Sequence, residues 1–149
     1  MKVFMKQKNC RSKKFGTAVM TFMIAFSMFG IMVQAAGNYK DTMFNIRYSG
    51  DGGDVSAEER AKLDYTSSYI YNTASDCDFF VNIYGTVKAD GTRGCKNCSI
   101  ETYKDIRVGH AYYLTNYVKE WGYSYCKPVM TPSTHSPCYI IGKWSPDSV

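Results

Sequence analysis

Along residues 42–48, TMFNIRY, apolar and polar positions alternate: Phe44, Ile46 and Tyr48 share one side, Asn45 and Arg47 the other. A period of two is the mark of a half-buried strand. TSSYIYN (66–72) and FFVNIYGT (79–86) also read as strands, being rich in aromatic and β-branched residues. In the first of these Tyr69 and Tyr71 share a face with Ser67, and Ile70 takes the other. The Gly and Asp content of SGDGGDV marks a turn. Ser56, with Glu59 three residues on, forms a capping box that predicts a short helix to about Leu63. Leu114, Tyr117, Val118 and Trp121 follow helical spacing, and Gly122 stands where a C′ glycine would end the element. GHAYYLTNYVKEWGY (109–123) is therefore expected to be an amphipathic helix. VKADGTRGCKNCSIETYKD (87–105) reads as a polar connection. YSYCKPVM, the turn TPSTHSP and CYIIGKW predict a terminal hairpin, with SPDSV as a polar tail or last edge.

Three strands, a helix and two strands, without long crossover helices, predict a mostly β fold: an antiparallel sandwich or small open barrel with one amphipathic helix. Neither an internal repeat nor a domain linker is visible.

The N-terminus changes how the charge is read. Lys2, Lys6, Lys8, Arg11, Lys13 and Lys14 precede a mostly apolar run from Phe15 to Val33, followed by QAAGN. A basic start, an apolar middle and a small-residue exit are the layout of a secretory signal peptide. Cleavage is expected after Ala35, which leaves residues 36–149 as one small exported domain. The alternative is a membrane anchor formed by residues 15–33, whose length approaches a span. The whole chain has 18 basic and 13 acidic residues and a net charge of +5. Without the six N-terminal positives the remainder is slightly acidic and carries no basic stripe, which argues against nucleic acid as a partner. All 13 tyrosines lie beyond residue 35, and Leu63 and Leu114 are the only leucines, a composition that favours strands.

KLDYTSSYIYN, YLTNYVKEWGYSY and the terminal WSPDSV together resemble a family of small exported proteins of Gram-positive bacteria classed as a domain of unknown function. The similarity covers most of residues 38–149, and WSPDSV is its most specific part. The resemblance implies export and one small domain, and no activity, ligand or catalytic residue. The cysteines stand outside this pattern, so their pairing is argued from spacing alone.

Beyond the leader the cysteines are Cys77, Cys95, Cys98, Cys126 and Cys138. In an oxidising compartment most should pair. Cys126 and Cys138 lie symmetrically in the predicted hairpin, where cross-strand Cβ separations of about 4.5–5.5 Å approach disulfide geometry, so a Cys126–Cys138 bridge is expected. Of the other three, either Cys77 joins Cys95 or Cys98, or Cys95 and Cys98 close on each other. The odd thiol would then be free for an intermolecular disulfide. The lone CxxC, Cys95–Cys98, does not make a zinc site, because its potential helpers Cys77, His110 and His135 are single and widely spaced. A thioredoxin-like redox site would place CxxC at a helix N-terminus, which the surrounding pattern lacks. His110 and His135 have no nucleophile motif beside them. The carboxylate pairs Asp76/Asp78 and Glu58/Glu59 read as solvated charges, and Asp51 and Asp54 do not fit calcium-loop spacing. No metal or cofactor is expected.

The aromatic content is the feature that points to binding. Tyr69, Tyr71, Tyr84, Tyr123 and Tyr125 are candidates for a stacking surface; the plainer reading is that they fill a Leu-poor core with hydroxyls at its rim. The function expected is therefore non-enzymatic binding at the cell wall or outside the cell, to a cell-wall polymer or another exported protein. A secreted bacteriocin-like antagonist is the second reading, and an extracytoplasmic thiol oxidoreductase using Cys95 and Cys98 the third.

Overall fold

The computed structural model describes residues 37–90, 93–103 and 105–148. The expected signal peptide or anchor lies outside the described residues. Among the described residues nine strands follow in chain order: β1 Thr42–Tyr48, β2 Val55–Ser56, β3 Arg60–Ala61, β4 Ser68–Asn72, β5 Phe79–Thr86, β6 Lys96–Asn97, β7 Ala111–Leu114, β8 Tyr125–Pro132 and β9 Cys138–Ser145. They form two antiparallel sheets. Sheet I has the order β1-β9-β4-β7; in sheet II the order is β2-β8-β5-β6, with β3 also on β8. This is the two-sheet alternative and not a closed barrel.

The alternation read from the sequence places the core. Ser68, Ile70 and Asn72 of β4 are buried while Tyr69 and Tyr71 are half-buried on the other face. Phe79, Val81 and Ile83 of β5 point inward with Met130 of β8, Ile140 and Trp144 of β9, and Phe44 of β1. Gly142 of β9 is required by packing, since a Cβ there would strike the Tyr71 carbonyl and come within 2.6 Å of the Phe44 ring.

Neither expected helix forms; among the described residues there is none. Ser56 lies in β2 opposite Val129, and Ala57–Glu59 bulge before Arg60 pairs with Cys126. Three residues thus face two, Lys127 and Pro128, on the partner strand. The Glu59 carboxylate lies 3.7 Å from the Lys127 ammonium instead of turning back to Ser56. In residues 109–123 the first half is β7, paired with β4 through Leu114↔Ser68 and Tyr113↔Tyr69. Buried Asn116 then draws the chain into a turn: its amide donates to the Leu114 carbonyl (2.8 Å), and its oxygen accepts from Val118 N. A short polar side chain that satisfies nearby backbone competes with a helix. One turn survives, with Trp121 N donating to Tyr117 O and Gly122 at φ 79°. The supposed single stripe is split, since Leu114 and Val118 are buried but Tyr117 and Trp121 are exposed.

The terminal hairpin is also corrected. β8 and β9 are strands, but they belong to different sheets, and TPSTHSP carries the chain across the sandwich. Cys126 pairs with Arg60 and Gly85 in sheet II; Cys138 pairs with Tyr48 in sheet I. They cannot bridge. Instead the segment after β4 runs back along the start of β9, with Thr73 N donating to Ile141 O and Asp76 N to Tyr139 O. That places Cys77 beside Cys138, and these two form the disulfide.

Candidate functional site

Two Lys–Asp pairs organise the region where residues 38–41 meet residues 143–148. The first is buried. Lys62 follows β3, and its ammonium reaches Asp147 Oδ1 at 2.7 Å, with side chains 1% and 0% exposed. Its other two donors go to the carbonyls of Thr66 and Pro146. Asp147 also accepts from the backbone N–H groups of Asn38 and Leu63. A buried pair is tolerated when every remaining hydrogen-bonding site is filled, as here. Ser68 Oγ adds a hydrogen bond to Pro146 O at 2.8 Å. KLDYTSS and WSPDSV, far apart in the chain, are thus held together by one polar knot. It is closed to solvent and leaves no free acid or base.

Asp64 borders this knot. Burial alone would raise its carboxyl, but the Thr66 hydroxyl and amide, followed by the Tyr39 hydroxyl, donate to it and hold it at about 2.

The second pair lies on the outer face of sheet I. Lys143 Nζ is 2.7 Å from the Asp41 carboxylate, with side chains 37% and 33% exposed. The hydrogen bond and charge of Asp41 raise the Lys143 ammonium's pKa and keep it protonated. That ammonium also lies 5.9 Å from the ring centre of Tyr69 and 5.6 Å from that of Tyr71. Strand register makes this arrangement. Tyr71 is opposite Lys143 and Tyr69 is opposite Ser145 across β4 and β9. On the other side of β4, Tyr113 stands opposite Tyr69, their ring centres 5.7 Å apart and tilted by 58°. Burial raises the Tyr69 phenol, with the Lys143 charge pulling the other way. A cavity of about 160 Å³ opens beside these rings, walled by Tyr39, Tyr69, Tyr113, Asp41 and Ser145 and floored by Asp147 and Ser148.

Of the five tyrosines expected to form a surface, only Tyr69 and Tyr71 stand together there. Tyr84 and Tyr125 are half-buried in sheet II, opposite Lys127 and Thr86. Tyr123 packs its ring against Gly85. Sequence reasoning missed Tyr113, because it was counted into a helix, and Tyr39, which lies in a polar lead. AYYLT, with its aromatic pair, was the available strand signal for the first. A separate exposed group joins Tyr117 to Trp121 at 5.6 Å, with the Lys96 ammonium 4.2 Å from the Trp121 ring centre.

The remaining cysteines are corrected as well. Cys77 pairs with neither Cys95 nor Cys98, and those two are not joined to each other. Among the described residues three thiols stay free instead of one: Cys95 exposed, Cys98 and Cys126 buried. Burial raises the Cys98 thiol, and it pushes Cys126 up to about 12 against the pull of the Lys62 ammonium. A redox or nucleophilic cysteine needs the opposite shift. Asp76 stands close to Cys77 and Cys138, but those sulfurs are bonded to each other and offer no thiolate pair to a metal. His110 and His135 are exposed in loops.

A family model described as "Protein of unknown function (DUF2712)" matches residues 31–148, and the chain belongs to that family. Among curated proteins and among solved structures nothing matches it.

Proposed function

We propose that this member of the family is an exported, non-enzymatic binding protein whose binding surface is the outer face of sheet I. The observation that carries the reading is the cluster of Tyr69, Tyr71 and Tyr113 around the Lys143–Asp41 pair, beside an open cavity. Aromatic faces with a few fixed polar groups are the usual make-up of a ligand site. The rings belong to paired strands, so little ordering cost attends binding. The target is a component of the cell envelope, a wall polymer in the first instance. Export is supported by the basic–apolar–small leader read from the sequence. Binding is preferred over thiol oxidoreduction because Cys98 is buried and its pKa raised.

The test uses protein made from the full-length chain in a secreting Gram-positive host. Intact mass of the protein in the medium should correspond to residues 36–149 with one disulfide. That protein should sediment with isolated cell wall, and Tyr69→Leu with Tyr71→Leu should abolish retention. Retention unchanged in the double variant would remove sheet I as the binding surface.

A further inference from the structure

The cavity beside Tyr69 has a chemistry more specific than a general aromatic surface. Three of its walls are tyrosine rings, Tyr39, Tyr69 and Tyr113, and its partly exposed acid is Asp41. Asp147 in the floor is fully buried and committed to Lys62, so it is not available to a ligand. Ring faces carry the negative part of the aromatic quadrupole, and rings grouped around a carboxylate form the cage that selects organic ammonium groups. The protein supplies its own example: the Lys143 ammonium sits against the Tyr69 and Tyr71 rings and on Asp41, at the flank of the same cavity. The open cavity of about 160 Å³ has room to seat one head group, with the rest of a larger molecule lying outside it.

We infer that this cavity is a recognition site for a small organic ammonium group, such as a quaternary ammonium head or a protonated amine, carried by a larger envelope molecule. The inference rests on sheet I being the binding surface and adds the class of group that surface recognises. The ligand cation lies against Tyr69 and Tyr113 with Tyr39 closing the third side, and Asp41 supplies the counter-charge. Lys143 competes for that charge and tunes the affinity downward.

The experiment titrates the protein made from the full-length chain with choline and with tetramethylammonium, following the tyrosine ring signals by NMR. Tert-butyl alcohol serves as the neutral control of similar shape. Saturable shifts at Tyr69 and Tyr113 are expected with the cations and not with the alcohol. Tyr69→Leu, Tyr113→Leu and Asp41→Asn, each checked for folding by its melting curve, should weaken binding about tenfold. Lys143→Met should tighten it, since it removes the internal competitor. An equal response to the alcohol, or weaker cation binding in Lys143→Met, overturns the inference, and the latter would point to an anionic ligand. Wall retention separates this failure from failure of the surface. Retention that depends on Tyr69 but is not displaced by excess choline leaves the surface standing and removes the ammonium. Choline-headgroup vesicles and amine-bearing wall, used as separate competitors, distinguish the two sources of the group.

Discussion

Lys62–Asp147 and Lys143–Asp41 have the same nitrogen–oxygen distance, 2.7 Å, and opposite roles. The first is sealed, with every ammonium donor placed on a protein oxygen. The second is about a third exposed and shares its ammonium with two tyrosine rings. Distance therefore does not measure what an ion pair does. Desolvation decides it: a buried charge has no alternative partner once its mate is removed, whereas water replaces the mate of an exposed one. The two pairs also adjoin, since Asp147 and Asp41 both line the cavity. A sealed, fully hydrogen-bonded pair thus lies next to a hydrated one.

The largest expected effect follows from breaking the knot. Asp147→Ala leaves the Lys62 ammonium buried and unpaired and should cost about 3–5 kcal/mol in urea unfolding. The double change Lys62→Met with Asp147→Leu should recover much of that loss. A melting temperature for Asp147→Ala equal to that of the parent would contradict the structural role.

A smaller effect comes from acid. Asp64 has its folded pKa at about 2, below the ordinary 3.8. A carboxyl depressed in the folded state stabilises above its unfolded pKa, and that stabilisation is lost as pH falls through the folded value. The window is therefore about pH 4 down to about pH 2. Stability measured across that window should fall in the parent and much less in Asp64→Asn, which starts lower. Parallel curves for the two proteins would show that Asp64 is not the group responsible.

Smallest of all is the cost of breaking the exposed pair. Asp41→Asn should change stability by less than about 1 kcal/mol, because both partners remain hydrated. On the proposed reading its larger effect is on retention by cell wall and not on folding. A loss as large as that of Asp147→Ala would erase the distinction between the two pairs.

Much of the sandwich was legible in the pattern of residues. TMFNIRY and FFVNIYGT are strands over the expected residues, and Ile70 faces away from Tyr69 and Tyr71 as expected. The helix over 109–123 failed because i, i+4 spacing is shared by a helix and by a short strand followed by a tight turn. Leu114 ends β7 and Val118 lies in the turn, so both reach the core without a helical path between them. Of the site, Tyr69 and Tyr71 could be read in advance, because neighbours on one strand face are spaced by two. Asp41 and Lys143 could not. They meet only because β1, near the start of the domain, pairs with β9, near its end, through Phe44↔Gly142 and the rows beside it.

The cysteines show the same limit. Symmetry about a turn made Cys126 and Cys138 look like partners, but a turn-rich connection serves equally for a hairpin and for a crossing between sheets. Alone, the sequence determined that TMFNIRY, SYIYN and FFVNIYGT extend and which of their side chains turn inward, since those follow from a period of two. Only the tertiary structure decided which strands lie side by side. Backbone hydrogen bonds carry no side-chain label, and the pairing of distant segments is settled by burying all the inward faces at once. From that pairing came the Cys77–Cys138 bridge, the Lys62–Asp147 knot and the tyrosine-walled cavity above it.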